Sequence, residues 1–198
     1  SGVSARLTIS AYENLISTAE RRMLLNNEKK TYARIIDLYG VIPAITGKVE
    51  LVYEGEQEGP YKVAQILIGK AIKSLFVQYF PSPEKSKKNQ NSNPYQPIVN
   101  WFSMGNSLDL MKDCTDKDYQ TALNKINGLS ELVKKQFPHE NESSHVVLME
   151  FVLHGLSEFS MLSKFRLVTS IQFKDMLSSM FTMSSDEDEN LDDDEFLK

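Results

Sequence analysis

Cysteine is nearly missing from this chain, and the single Cys114 can form no internal disulfide, which fits a reducing compartment. Uninterrupted apolar runs are also lacking. Lys, Glu or Gln breaks every one well short of the ~20 residues that cross a bilayer, so no transmembrane helix is expected. Ser1 to Arg6 has neither the basic start nor the apolar stretch of a secretory signal. Together these features point to a cytoplasmic protein with no membrane partner. Histidine is scarce as well: His139, His145 and His154 are the only three, and the nine residues from His145 to His154 put those two on different helix faces, which argues against a zinc site. No G-x-x-x-x-G-K-[ST] phosphate loop occurs. Gly47-Lys48 and Gly69-Lys70 lack the following hydroxyl that would hold Mg²⁺, and Gly-x-Gly-x-x-Gly is missing too.

What is present suits one good-sized domain or two small ones: 198 residues, 41% hydrophobic and 25% charged. The net charge of −5 comes from one place. Eight acidic residues lie between Asp186 and Glu195, and residues 1–185 carry 21 basic against 19 acidic side chains. Such a tail has too little apolar surface to fold alone and is expected to be disordered and solvated, or to serve as an interaction tail with Phe196 and Leu197 at its tip.

Periodicity predicts a mainly α protein. Ser10 and Glu13 have the capping-box spacing, so a helix is expected to begin there, with Leu15, Ile16, Ala19 and Met23 on one face until Asn26-Asn27. A shorter helix over 31–39 would stop at Gly40 and pair with the first. Pro43 and the alternating Val49, Leu51 and Tyr53 predict a short strand or extended segment. Helix 60–80, entered through Pro60, is apolar over most of its circumference and reads as the central buried helix. Pro81 to Pro97 bracket a loop rich in Lys, Asn and Ser, which marks a boundary. Its Lys85, Lys87 and Lys88 lack the interleaved aromatics of a nucleic-acid site, so no nucleic-acid partner is expected. Beyond it come a short helix near Trp101, a long one from the Thr115 cap to Phe137 with a kink at Gly128, and another capped by Ser144. A second short strand over 165–173 and a last helix over 173–181 complete the body. The domain reading is 1–80 as a first helical subdomain, 81–97 as a linker, 98–183 as a helical extension and 184–198 as the tail.

Two constellations are weighed for chemistry. Cys114 pairs with no base nearby in sequence and reads as a small, partly buried residue before it reads as a nucleophile. Glu50, Glu54, Glu56 and Glu58 crowd one stretch, where mutual repulsion raises a pKa or attracts a cation, although a hydrated acidic loop is the plainer reading.

Val41 to Gly59, continuing into Ile68-Gly69-Lys70-Ala71, resembles a segment that follows the ATPase core in magnesium-chelatase-like (subunit I type) AAA+ proteins. Ser1 to Leu7 followed by Ser10 to Arg22 is similar to the start of the AAA+ helical lid. Met149 to Leu153 and Gly155-Leu156 carry the likeness more faintly. The resemblance implies that Arg6 holds the place of the sensor 2 arginine, whose guanidinium reaches the nucleotide's terminal phosphates. It implies a lid plus C-terminal extension that cannot itself be the enzyme. ATP and Mg²⁺ would belong to an upstream core carrying the P-loop, Walker B segment and arginine finger. The partners would be that core, neighbouring subunits of a ring and a protein client. A stand-alone helical adaptor, binding a protein partner through its helices and acidic tail, is the rival reading.

Overall fold

The first helix, α1, runs Leu7–Leu25 with no Gly or Pro, and its strong helix formers are gathered in the second half, from Ala19 to Leu25. It starts three residues earlier than the Ser10–Glu13 spacing suggests: Arg6 is its N-cap, and the Ser10 amide already donates to the Arg6 carbonyl at 3.1 Å. Asn27 ends the run at φ 53, in the left-handed region that asparagine tolerates. This computed structural model describes residues 6–46, 48, 59–84, 93–167 and 169–177.

The expected helix over 31–39 does not form. Residues 28–34 are irregular and lead into a short 3-10 helix, Ile35–Val41, and then α2, Ile42–Thr46. The cause is competition for backbone donors. Asp37 accepts the Arg34 N–H at 2.8 Å, and Glu150 from the far end of the chain accepts the Ile35 and Ile36 N–H groups at 2.6 and 2.9 Å. Gly40 is therefore not a helix stop; its bare Cα lets α1 approach, where a Cβ would strike the Thr18 side chain. Pro43 sits in the first turn of α2, where its missing N–H costs no helical bond. The strand expected at Val49 to Tyr53 lies outside the described residues.

Helix α3, Pro60–Tyr79, and α4, Gln96–Ser103, form where the pattern places them, each with proline in its first turn. The burial of α3 differs from expectation. Ala64, Ile68, Gly69, Ile72 and Phe76 face the core, while Leu67, Leu75 and Val77 are exposed, so α3 covers the body from outside rather than running through it. The long helix expected from Thr115 is two helices, α5 (Asp116–Asn124) and α6 (Leu129–Gln136). Gly128 at φ 78 breaks it in a left-handed conformation that glycine adopts freely. The Thr115 hydroxyl does cap α5 by accepting the Asp118 N–H. Helix α7, Glu142–Glu158, is capped by Asn141, with the Asn141 side chain accepting the Ser144 N–H that serine had been expected to supply a cap for.

Three short strands, β1 (Leu108–Met111), β2 (Ser163–Arg166) and β3 (Ser170–Lys174), make an antiparallel sheet in the order β1-β3-β2. The single extended segment predicted over 165–173 is thus a hairpin, and residues 173 and 174 belong to β3 rather than to a closing helix. Leu108 pairs with Phe173 and Leu110 with Ile171, which turns all four side chains to the core. One hydrophobic cluster runs from Ile36 through α3, α4, α5, α6 and α7 to Phe173, drawing residues from both sides of 81–97. At its centre α3 crosses α7, and the Phe76 ring lies against Phe80, Tyr95, Phe151 and Phe159. The protein is mainly helical, and among the described residues no helix is long and apolar enough to cross a membrane.

Candidate functional site

Arg6, singled out in the sequence, stands exposed at the head of α1. The first turn of α1 has no acidic residue and no side-chain cap, so its amide dipoles present positive charge at the same end as the guanidinium. Two further arginines of α1 pair with aspartates of this chain. Arg21 meets Asp113 at 2.8 Å on the surface, and Arg22 is buried.

Arg22 opens a buried polar chain that periodicity does not reveal. Its Nη1 donates to both Asp37 oxygens at 2.5 and 2.7 Å, and its Nη2 donates to the Tyr32 carbonyl at 2.8 Å. Arg22 is 1% exposed and Asp37 2%. Arg34 is held next to them. Its Nη2 donates to Asp116 at 2.6 Å and to the Cys114 carbonyl at 3.1 Å, and its guanidinium lies 4.1 Å from the centre of the Tyr119 ring. Burial pulls the Arg34 pKa down, but the Asp116 hydrogen bond and the negative partners around it leave the guanidinium above its ordinary value. The Tyr119 hydroxyl donates to Glu150, which also holds the Ile35 and Ile36 amides. Burial first, and then the Glu150 charge, push the Tyr119 phenol well up, so it remains a donor. Helical spacing sets Arg22 outward beside Glu20 and Arg21, yet it is buried on the inner side of α1; the signal for this chain in the sequence is Glu150 and His154, polar residues within the apolar run of α7.

His154 ends the chain. It is fully buried, 3.5 Å from Glu150 and edge-on to Phe173, and neither ring nitrogen has a hydrogen-bond partner among the described residues. At that distance the carboxylate holds the ring weakly, and burial wins, lowering the His154 pKa below its ordinary value; Lys164 lowers it further, while Glu158 opposes. A depressed histidine binds fewer protons folded than unfolded, so its contribution to stability is complete above pH ~6.5 and declines as pH falls toward the folded value. The unfolding free energy should drop between pH 7 and 5.5, and His154→Leu should flatten that slope. Denaturant titrations at several pH values measure it, and an unchanged slope in the variant would remove His154 as the source.

The other sequence candidates are dispersed. Cys114 is half-buried, its thiol donating to the Met111 carbonyl at 3.1 Å with Arg34 Nη1 at 3.4 Å. Burial raises its pKa against the pull of Arg34, which works against a thiolate nucleophile. Glu50, Glu54, Glu56 and Glu58 lie outside the described residues, as do Lys85, Lys87 and Lys88. Among the described residues no group of three or more His, Cys, Asp or Glu side chains is placed to hold a metal ion. Two clefts share Arg166: one of about 280 Å³ beside Arg21, Asp37 and Lys112, and one of about 580 Å³ beneath α3. No family model, curated protein or solved structure matches the chain.

Proposed function

We propose that this chain is the helical lid plus C-terminal extension of a magnesium-chelatase-like AAA+ ATPase, coupling ATP binding and hydrolysis in a separate core to movement of neighbouring subunits or a client. The observation that carries the reading is the place of Arg6, exposed at the N-terminal head of α1, where the helix dipole is positive. A terminal phosphate of ATP bound in the core is an anion of the kind that this end accepts. Closure onto a triphosphate, and release after hydrolysis, then follow from the change in charge at the γ position.

Two further features support a transmitting role. The buried Arg22–Asp37 and Arg34–Asp116 pairs tie α1 to the 3-10 segment and to α5, so a pull on the head of α1 moves a stiff body rather than a loose helix. The exposed apolar side chains of α3, Leu67, Leu75 and Val77, offer a face for a neighbouring subunit.

In the ATPase carrying this chain, Arg6→Ala should lower ATP turnover at least ten-fold, about 1.4 kcal/mol of lost transition-state stabilisation, while the core still binds nucleotide. Turnover at the parental rate rejects the role of Arg6. A natural protein in which this chain is joined to no P-loop core rejects the whole reading.

A further inference from the structure

The larger cleft, about 580 Å³, lies between the inner edge of α3, the end of α7 and strand β2. Its charge is one-sided. Lys62, Lys70 and Lys73 line it from α3, Lys164 and Arg166 from β2, and the only carboxylate among the described lining residues, Glu158, is taken by Lys164 at 2.7 Å. Gly69 permits the close fit, since a Cβ there would come within 2.7 Å of a Glu158 oxygen. The Arg166 guanidinium lies over the Tyr39 and Tyr61 rings, 4.4 and 5.0 Å from their centres. Its Nη1 is buried and has no hydrogen-bond partner among the described residues. A buried donor without an acceptor is costly, and four further cations around the same space deepen the deficit.

The chain carries its own complement. Eight carboxylates lie between Asp186 and Glu195, in a chain whose other 185 leading residues are close to neutral. The path leads there as well. In the β2–β3 ladder Lys164 pairs with Phe173 and Ser163 with Lys174, so the chain leaves β3 beside the strand that supplies Lys164 and Arg166. From Leu177 to Asp186 is nine residues, and at ~3.3 Å each an extended chain reaches ~30 Å, enough to span the cleft. We propose that the acidic segment Asp186–Glu195 of this chain docks in the Lys62/Lys70/Lys73/Lys164/Arg166 cleft, where its carboxylates offset the one-sided positive charge. Tethering places the segment at an effective concentration of order mM, so individually weak ion pairs suffice. The cleft is then self-masked, and an external anion has to displace the tail. This inference does not depend on the ATPase reading.

Zero-length carbodiimide coupling on the full chain, at low micromolar concentration and low salt, tests it by peptide mass spectrometry. Amide links from Lys62, Lys70, Lys73 and Lys164 to Asp186–Glu195 in the monomer should exceed links to Lys125, just past α5, and to Lys134 and Lys135 on α6 at least five-fold. Salt near 0.5 M should abolish the excess, because it shortens the screening length to about 4 Å. Links spread evenly over all lysines, links found only between copies, or links from the cleft to Glu54–Glu58 instead would each overturn the proposal. Replacing the eight tail carboxylates with their amides leaves the folded body untouched and should shift the backbone amide resonances of residues 61–73 and 164–166. Unmoved resonances overturn it too.

Discussion

Replacing Glu150 with alanine should destabilise the protein by about 3–5 kcal/mol, the scale for breaking a buried charged network by removing one partner. The size follows from what Glu150 holds. Its two oxygens accept the Ile35 and Ile36 amides and the Tyr119 hydroxyl, all remote in sequence, and the side chain is fully buried. Alanine strands three donors where water does not reach, at roughly 1–3 kcal/mol for each one left unmet. Glu150→Gln keeps one acceptor oxygen and should fall between the two extremes, while Tyr119→Phe removes a single donor and should cost about 1 kcal/mol. Chemical denaturation of the three variants gives this order. A loss below about 1 kcal/mol for Glu150→Ala would mean that the 3-10 segment does not depend on α7. Proteolysis adds a readout specific to the segment: cleavage near 28–37 should appear first in Glu150→Ala.

The second large effect belongs to the crossing of α3 over α7. Phe76→Ala should cost about 3–5 kcal/mol, since the ring is fully buried at the centre of an aromatic cluster. Gly155 makes that placement possible. In an ordinary helix interior Gly→Ala gains up to ~1 kcal/mol of propensity. Here a Cβ at 155 would overlap the Phe76 ring, and that ring is pinned by Phe80, Tyr95, Phe151 and Phe159, so it has nowhere to move. Overpacking costs about 1–3 kcal/mol and outweighs the gain, so Gly155→Ala should destabilise. The double variant Gly155→Ala with Phe76→Leu should cost less than the two single changes added together, because the smaller side chain clears the space. Strict additivity would show that the two residues do not meet.

Several elements were legible because they depend on neighbours in sequence. The Thr115 cap, proline at the head of α3 and the apolar spacing of α7 each act over one turn, and each element forms where its pattern lies. The misreadings share a cause. The segment 31–39 has helical spacing, yet Glu150, more than a hundred residues away, takes the amides that would begin such a helix. Strand β1 has only four residues, and its partner β3 lies about sixty residues later, so nothing beside it announces a sheet. Gly128 could be tolerated within a helix or terminate one, and the chain takes the left-handed option, against Pro97.

The candidate site divides in the same way. Arg6 was named from sequence only through a family resemblance, carried by residues beside it in the chain. The cleft around Arg166 was not, since it needs side chains from α3, α7 and β2 that meet only after folding. By itself, then, the sequence determined that this protein is mainly helical, where α3 and α5 begin, and that its negative charge is gathered in one tail. Those properties arise from spacing, capping and composition, which act within a turn or are counted along the chain. Tertiary structure alone decided that 31–39 is not an α-helix, that Arg22, Arg34, Asp37 and Glu150 join in one buried chain, and that five cations share a cleft. Each of these rests on hydrogen bonds or charges between residues far apart in sequence, which only packing brings within reach.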